Sequence, residues 1–258
     1  MTLAGGLILS IAGPLSAQHT HDHSADAAKT QSSPAASVKK SGLGDWKMEA
    51  MARHMAYSAS RPLTATDSVR AAHVINELRQ AVVKYQDVKA AEADGYKMFA
   101  PQLKNQPQYH FTRNRNAIRN SFGFDPARPT SLLYKRNARG ELVLTGAMYT
   151  ASKRTSEEDL DKRVPLSVAR WHRHVNWCVP ERSDKERWYE LKDGRPVFGP
   201  LGVATEAECK AAGGRFIEQV FGWMVHANVF AGNDLRSIWL DDHMEHDHDA
   251  MLGTPSPN

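Results

Sequence analysis

Arg170-Trp171-His172-Arg173-His174-Val175-Asn176-Trp177-Cys178 is the stretch on which the reading of this chain turns. As a β-strand, its side chains alternate between two faces. His172, His174, Asn176 and Cys178 then share one face, and Trp171, Arg173, Val175 and Trp177 the other. Two imidazoles at i and i+2 can reach the same metal ion, and a strand holds them rigidly. The plainer alternative is one buried, hydrogen-bonded histidine and one surface histidine.

Outward from that strand, the C-terminal side reads as β structure and short helix. Residues 181–195 are charged and form a surface insertion. Thr205 to Ala212 is a short helix stopped by Gly213-Gly214, and Phe216 to Phe230 is a long strand or strand pair. On it Glu218, Met224, His226 and Asn228 share one parity. On the N-terminal side, Tyr109-His110-Phe111 is a strand. Ser131–Lys135 and Leu142–Thr150 are partners joined by the turn Asn137-Ala138-Arg139-Gly140. Thr155 to Arg163 is a helical turn. Residues 66–94 carry an apolar stripe at helical spacing, Ala71, Val74, Ile75, Leu78, Val82, Tyr85, Val88 and Ala91, with Thr66 as the cap and Gly95 as the left-handed end. Residues 45–60 are a shorter helix capped by Asp45, with Met48, Met51 and Met55 at i, i+3, i+7 and His54 beside them. Such a set can bind Cu(I), but a methionine stripe more often packs.

These elements give an α+β expectation. N-terminal helices, one of them long and amphipathic, pack on a small, mostly antiparallel β-barrel or sandwich. The expected organisation is a signal peptide at 1–17, a disordered His-containing linker at 18–42, a helical part at 43–95, a β-rich body at 96–240 and a His/Asp-rich tail at 241–258. The leader is an apolar run from Leu3 to Leu15 with cleavage after Ala17; Leu15 is large for its place, and no Lys or Arg precedes the run. The expected location is therefore periplasmic or secreted.

Hydrophobic residues make up 41% of the 258 and charged residues 24%, enough to bury a core. No apolar run reaches the roughly 18–20 residues of a membrane-spanning helix, so an integral membrane protein is not expected. The net charge is +4, but residues 104–195 hold 19 Lys/Arg against 11 Asp/Glu. That basic middle suits a small anionic ligand or is a solvated face. No nucleic-acid-binding motif accompanies it. The two cysteines, Cys178 and Cys209, suit a disulfide closing a loop of about 30 residues, worth about 3–4 kcal/mol. The rival role for Cys178 is metal ligation beside His172 and His174.

Several segments resemble a family of exported bacterial proteins without an established activity. They are Lys84-Tyr85-Gln86-Asp87-Val88 with Ala93-Asp94-Gly95-Tyr96, Tyr109-His110-Phe111-Thr112, Asp125 through Tyr134, Gly146-Ala147-Met148-Tyr149, the His172 strand, and Gly222-Trp223-Met224-Val225-His226. The resemblance spans roughly residues 50–230 and implies helices followed by a compact β-rich body. It implies no activity.

The chemistry rests on His110, His172, His174 and His226, all in expected strands, with Glu218 as a further ligand candidate and Asn176 and Asn228 as amides that could orient the imidazoles. Three or four imidazoles suit a divalent or transition metal, copper or zinc before iron or manganese. The arrangement is cupin-like only by analogy: the glutamate expected shortly after the HxH pair is absent, Glu181 coming seven residues after His174. HExxH, G-x-S-x-G and P-loop patterns are absent as well. The leading expectation is an exported metal-binding protein with a His-rich site. The alternatives are a metal-dependent oxygenase or hydrolase using the same histidines, and a structural or small-ligand module without metal.

Overall fold

The computed structural model describes residues 44–101 and 106–239. The expected leader, linker and His/Asp-rich tail lie outside the described residues.

Helix α1 (Gly44–His54) runs directly into a three-residue strand, β1 (Met55–Tyr57), so the N-terminal part is not wholly helical. Helix α2 (Ala65–Val82) starts two residues earlier than the Thr66 cap expected from sequence. Its cap is Thr64, whose hydroxyl accepts from the Asp67 amide while the Asp67 carboxylate accepts from the Thr64 amide, both at 3.2 Å. That reciprocal pair needs an acceptor three residues into the helix, and Asp67 supplies it. Ala71, Val74, Ile75, Leu78 and Val82 are the buried stripe. The helix then tightens into a 3₁₀ turn, and Asp87 caps a separate helix, α3 (Val88–Ala93). Gly95 follows in the left-handed region at φ 87°, as its position after a helix requires.

Strands β2 (Lys97–Met98), β3 (Tyr109–Thr112), β4 (Ser131–Arg136), β5 (Leu142–Ala151), β6 (His172–Val179), β9 (Arg215–Gln219) and β10 (Trp223–Ala227) join β1 in one antiparallel sheet. Its order is β1-β6-β10-β5-β4-β3-β2, with β9 pairing the far half of β6. Strands β7 (Leu191–Lys192) and β8 (Arg195–Pro196) form a separate ribbon inside the charged insertion. Helix α4 (Asn114–Phe122) follows β3, α5 (Glu157–Arg163) precedes β6, α6 (Glu206–Ala211) precedes β9 and α7 (Leu235–Trp239) follows β10.

The α+β class stands, but the sheet is not closed into the expected barrel. Its edge strands β1 and β2 are three and two residues long and pair with β6 and β3, not with each other. Edges that short cannot supply the staggered register that closure demands. The sheet nevertheless curls. Three strand spacings separate β3 from β10, about 14 Å if flat, yet the rings of His110 on β3 and His226 on β10 have centroids 5.6 Å apart. Leu133 pairs with Gly146 but the next residue, Tyr134, pairs with Leu144, so Thr145 is an extra residue on β5, and this bulge bends the sheet. Gly146, opposite Leu133, leaves the room: a Cβ there would sit 2.1 Å from the Ala227 carbonyl oxygen.

Each strand presents two faces. Tyr109, Phe111, Leu132, Tyr134, Ala147, Tyr149, Trp223, Val225 and Ala227 point to the main core under α2. His110, Thr112, Met148, Thr150, Met224 and His226 point to the opposite, concave face. A second small core of Val197, Phe198, Cys178 and Cys209 sits at the far end of β6.

Candidate functional site

The concave face brings together the four histidines singled out from sequence. The ring centroids run His110–His226 at 5.6 Å, His226–His172 at 5.1 Å and His172–His174 at 5.8 Å. Register explains the arrangement. Met224 on β10 pairs with His172 on β6, which leaves His226 one step along the same face. His174 is the next residue on that face of β6 and pairs with Met55 of β1. His172 is fully buried and His226 almost so.

Beside the rings lies a cavity of about 340 Å³. Its sheet wall carries His110, His174, His226, Met148 and Met224; α1 and β1 contribute Met51, His54 and Met55; Phe99, Trp177, Phe221 and Leu201 close the sides. None of the described lining residues is Asp, Glu, Lys or Arg. An anionic ligand therefore finds no Lys or Arg there, and a cation no carboxylate.

Strand β6 departs from strict alternation. Asn176 has φ 59°, so the strand kinks, and Trp177 instead of Asn176 packs on His174, with centroids 5.6 Å apart. Asn176 donates from Nδ2 to the Arg53 carbonyl at 3.0 Å, which ties β6 to α1 and leaves the amide off the imidazoles. Cys178 is bonded to Cys209 with S–S 2.05 Å, and no described cysteine is free. The disulfide expectation is met, and the rival role of Cys178 as a ligand is overturned. Glu218 is exposed on β9 and does not line the cavity; β9 and β10 are separate strands, so parity counted from His226 does not carry across the turn between them. Of the methionine stripe, Met51 and Met55 line the cavity while Met48 is 62% exposed. His54 turns Nε2 to the Gly202 carbonyl at 3.0 Å and Nδ1 to the Val175 carbonyl at 3.3 Å. It is a structural tie between α1, β6 and the 202 loop.

His110 hydrogen-bonds the backbone of Gln108. Its ring faces the cavity and is only half-buried by exposure, but protein surrounds it closely enough that burial pushes its pKa down to about 4. Neighbouring His172 acts in the same direction, and the Gln108 hydrogen bond opposes it. His110 is therefore neutral, the form that ligates metals. Above about pH 6.5 the ring is neutral in both folded and unfolded chains and its full contribution is present. As pH falls towards 4 only the unfolded chain takes up the proton, so stability is lost, levelling off once the folded form protonates. Allowing for solvent screening of the partly exposed ring, the loss is about 2–3 kcal/mol. Urea unfolding at pH 7.5, 5.5 and 4 should show a shallower decline for His110→Gln than for the wild type; parallel declines would contradict the assignment.

Sequence reasoning missed the apolar cavity walls. Phe99 and Phe221 lie in irregular segments, where no periodicity assigns them a face. Among the described residues no group of three or more His, Cys, Asp and Glu has its donor atoms gathered into a ready metal site. The consecutive ring spacings of 5.1–5.8 Å along the run are nonetheless close to those of imidazoles that share an ion. A metal about 2.0–2.1 Å from ring nitrogen in a tetrahedral set puts neighbouring centroids about 5 Å apart. No helix of the described residues is long and apolar enough to cross a membrane. Comparison of the chain with family models, with curated proteins and with solved structures gives no match.

Proposed function

We propose that this is an exported metal-binding protein that holds one copper ion, as Cu(I), among His110, His172, His174 and His226. The observation that carries the reading is the continuous run of four rings at 5.1–5.8 Å on three strands of one curled sheet. Copper(I) is favoured over zinc by the donor set. Imidazoles and the thioethers of Met148 and Met224 are neutral, and thioethers are soft ligands that select Cu(I). A divalent ion in an apolar cavity without a carboxylate would carry a larger uncompensated charge. Export is supported by the disulfide, which persists in oxidising compartments such as the periplasm or the extracellular space.

The test is anaerobic titration of the full chain with Cu(I) against a competing chelator. Wild type should show one tight equivalent that His172→Ala lacks. Weaker equivalents, ascribed to the His-rich ends at 19–23 and 243–248, should be common to both. Superimposable curves would overturn the reading.

A further inference from the structure

The cavity is far larger than an ion needs, and its walls specify a second kind of occupant. We propose that it binds an uncharged, two-ring aromatic molecule carrying a single hydroxyl, of the naphthol class, with the hydroxyl hydrogen-bonded to the side-chain amide of Gln108. The inference does not depend on a metal being held.

Size comes first. A dry apolar cavity of about 150 Å³ admits benzene, and this one has about 340 Å³, room for two fused rings. Charge comes second. With no Asp, Glu, Lys or Arg among the described lining residues, a charged ligand would give up its hydration without compensation. Wall chemistry comes third. Phe221 stands edge-to-face with Phe99 at 6.3 Å and 80° and with Trp177 at 6.1 Å and 82°. That pattern is the one a further aromatic ring extends. Met51, Met55, Met148 and Met224 add flexible thioethers to the walls, which adapt to and contact ring edges.

The polar handle is the most specific part. Gln108 lines the cavity, is only 8% exposed, and its Nε2 has no hydrogen-bond partner among the described residues. Buried donors are nearly always paired, so an unpaired one asks for an acceptor. A hydroxyl both donates and accepts, and so suits either orientation of the amide. The threonine hydroxyls in the wall are already engaged: Thr112 with Ser131 at 2.8 Å, and Thr130 with Thr150 at 2.9 Å and with Asn120 Nδ2 at 2.9 Å. Among the described lining residues that leaves the Gln108 amide and the Trp177 indole N–H as buried donors without a partner, and of the two only the amide can also accept.

The experiment is calorimetric titration of the full chain, stripped of metal by a chelator, with 2-naphthol, naphthalene and 2-naphthoate, with intrinsic tryptophan fluorescence as a second readout. Wild type should bind one equivalent of 2-naphthol saturably, bind naphthalene about tenfold more weakly, the worth of one neutral hydrogen bond, and not bind 2-naphthoate. In Gln108→Leu, which removes a buried unpaired amide and so folds at least as well, the naphthol-to-naphthalene ratio should fall to about one. Ala117→Phe, filling the α4 wall, should weaken both at least tenfold with an unchanged thermal midpoint. No saturable binding by wild type, an unchanged ratio in Gln108→Leu, or naphthoate binding as tightly as naphthol would each overturn the proposal. The copper reading is untouched by any of these results, because it is read from a separate titration.

Discussion

Cys178→Ala combined with Cys209→Ala is expected to destabilise the protein by about 3–4 kcal/mol, the loop-closure contribution of a bridge between cysteines 31 residues apart. In a folded body of this size that lowers the thermal midpoint by roughly 10 °C. The bridge joins the end of β6 to α6, and both sulfurs are fully buried against Val197 and Phe198. Truncation therefore also loosens a small core that has little else to hold it. The copper equivalent should survive in the variant at moderate temperature, because His172 and His174 lie at the opposite end of β6, fixed by pairing to β1 and β10. Loss of copper binding without loss of stability would restore Cys178 as a ligand and contradict the site described above.

His172→Ala together with His226→Ala should weaken Cu(I) binding at the cluster by more than about a hundredfold. Disturbing merely an outer partner of a ligand costs about 10–100-fold in metal affinity, and this pair removes two adjacent members of the run, with centroids 5.1 Å apart. His172 is the hub, within 6 Å of His174 and His226, so removing it also separates His174 from the rest. Chelator competition reads the affinity, and circular dichroism reads the fold. A double variant that is folded and binds as tightly as wild type would contradict the assignment. The single variant His54→Gln provides the contrast: both His54 nitrogens face backbone carbonyls, so copper affinity should not change even if stability falls.

The strands were legible because one side of each faces a packed core, and that leaves alternation in the sequence. Tyr109 and Phe111 alternate with His110 and Thr112 in this way, and Trp223, Val225 and Ala227 with Met224 and His226. Helix α4 was not legible, because its buried face is made of amides. Asn116 bonds Tyr96 and the Pro129 carbonyl, and Asn120 bonds Thr130, so no apolar stripe marks it. The helix expected over 66–94 divides at Asp87, whose side chain caps α3; the apolar stripe runs through the break and hides it. Four histidines on strands could be read from sequence, but not that β3 curls over to β10, since that depends on a bulge in β5 and on the space at Gly146. The left-handed Asn176 likewise swaps Trp177 onto the histidine face, a step that strict alternation cannot anticipate. Glu218 shares parity with His226 only when counted across the turn between β9 and β10, where parity does not hold.

The most direct measurement is anomalous diffraction at the copper edge from crystals of the full chain loaded with Cu(I). The account predicts one peak on the concave face, about 2 Å from ring nitrogens of at least three of His110, His172, His174 and His226, with the imidazoles rotated towards it. Copper bound elsewhere, with no peak among these rings, would contradict it.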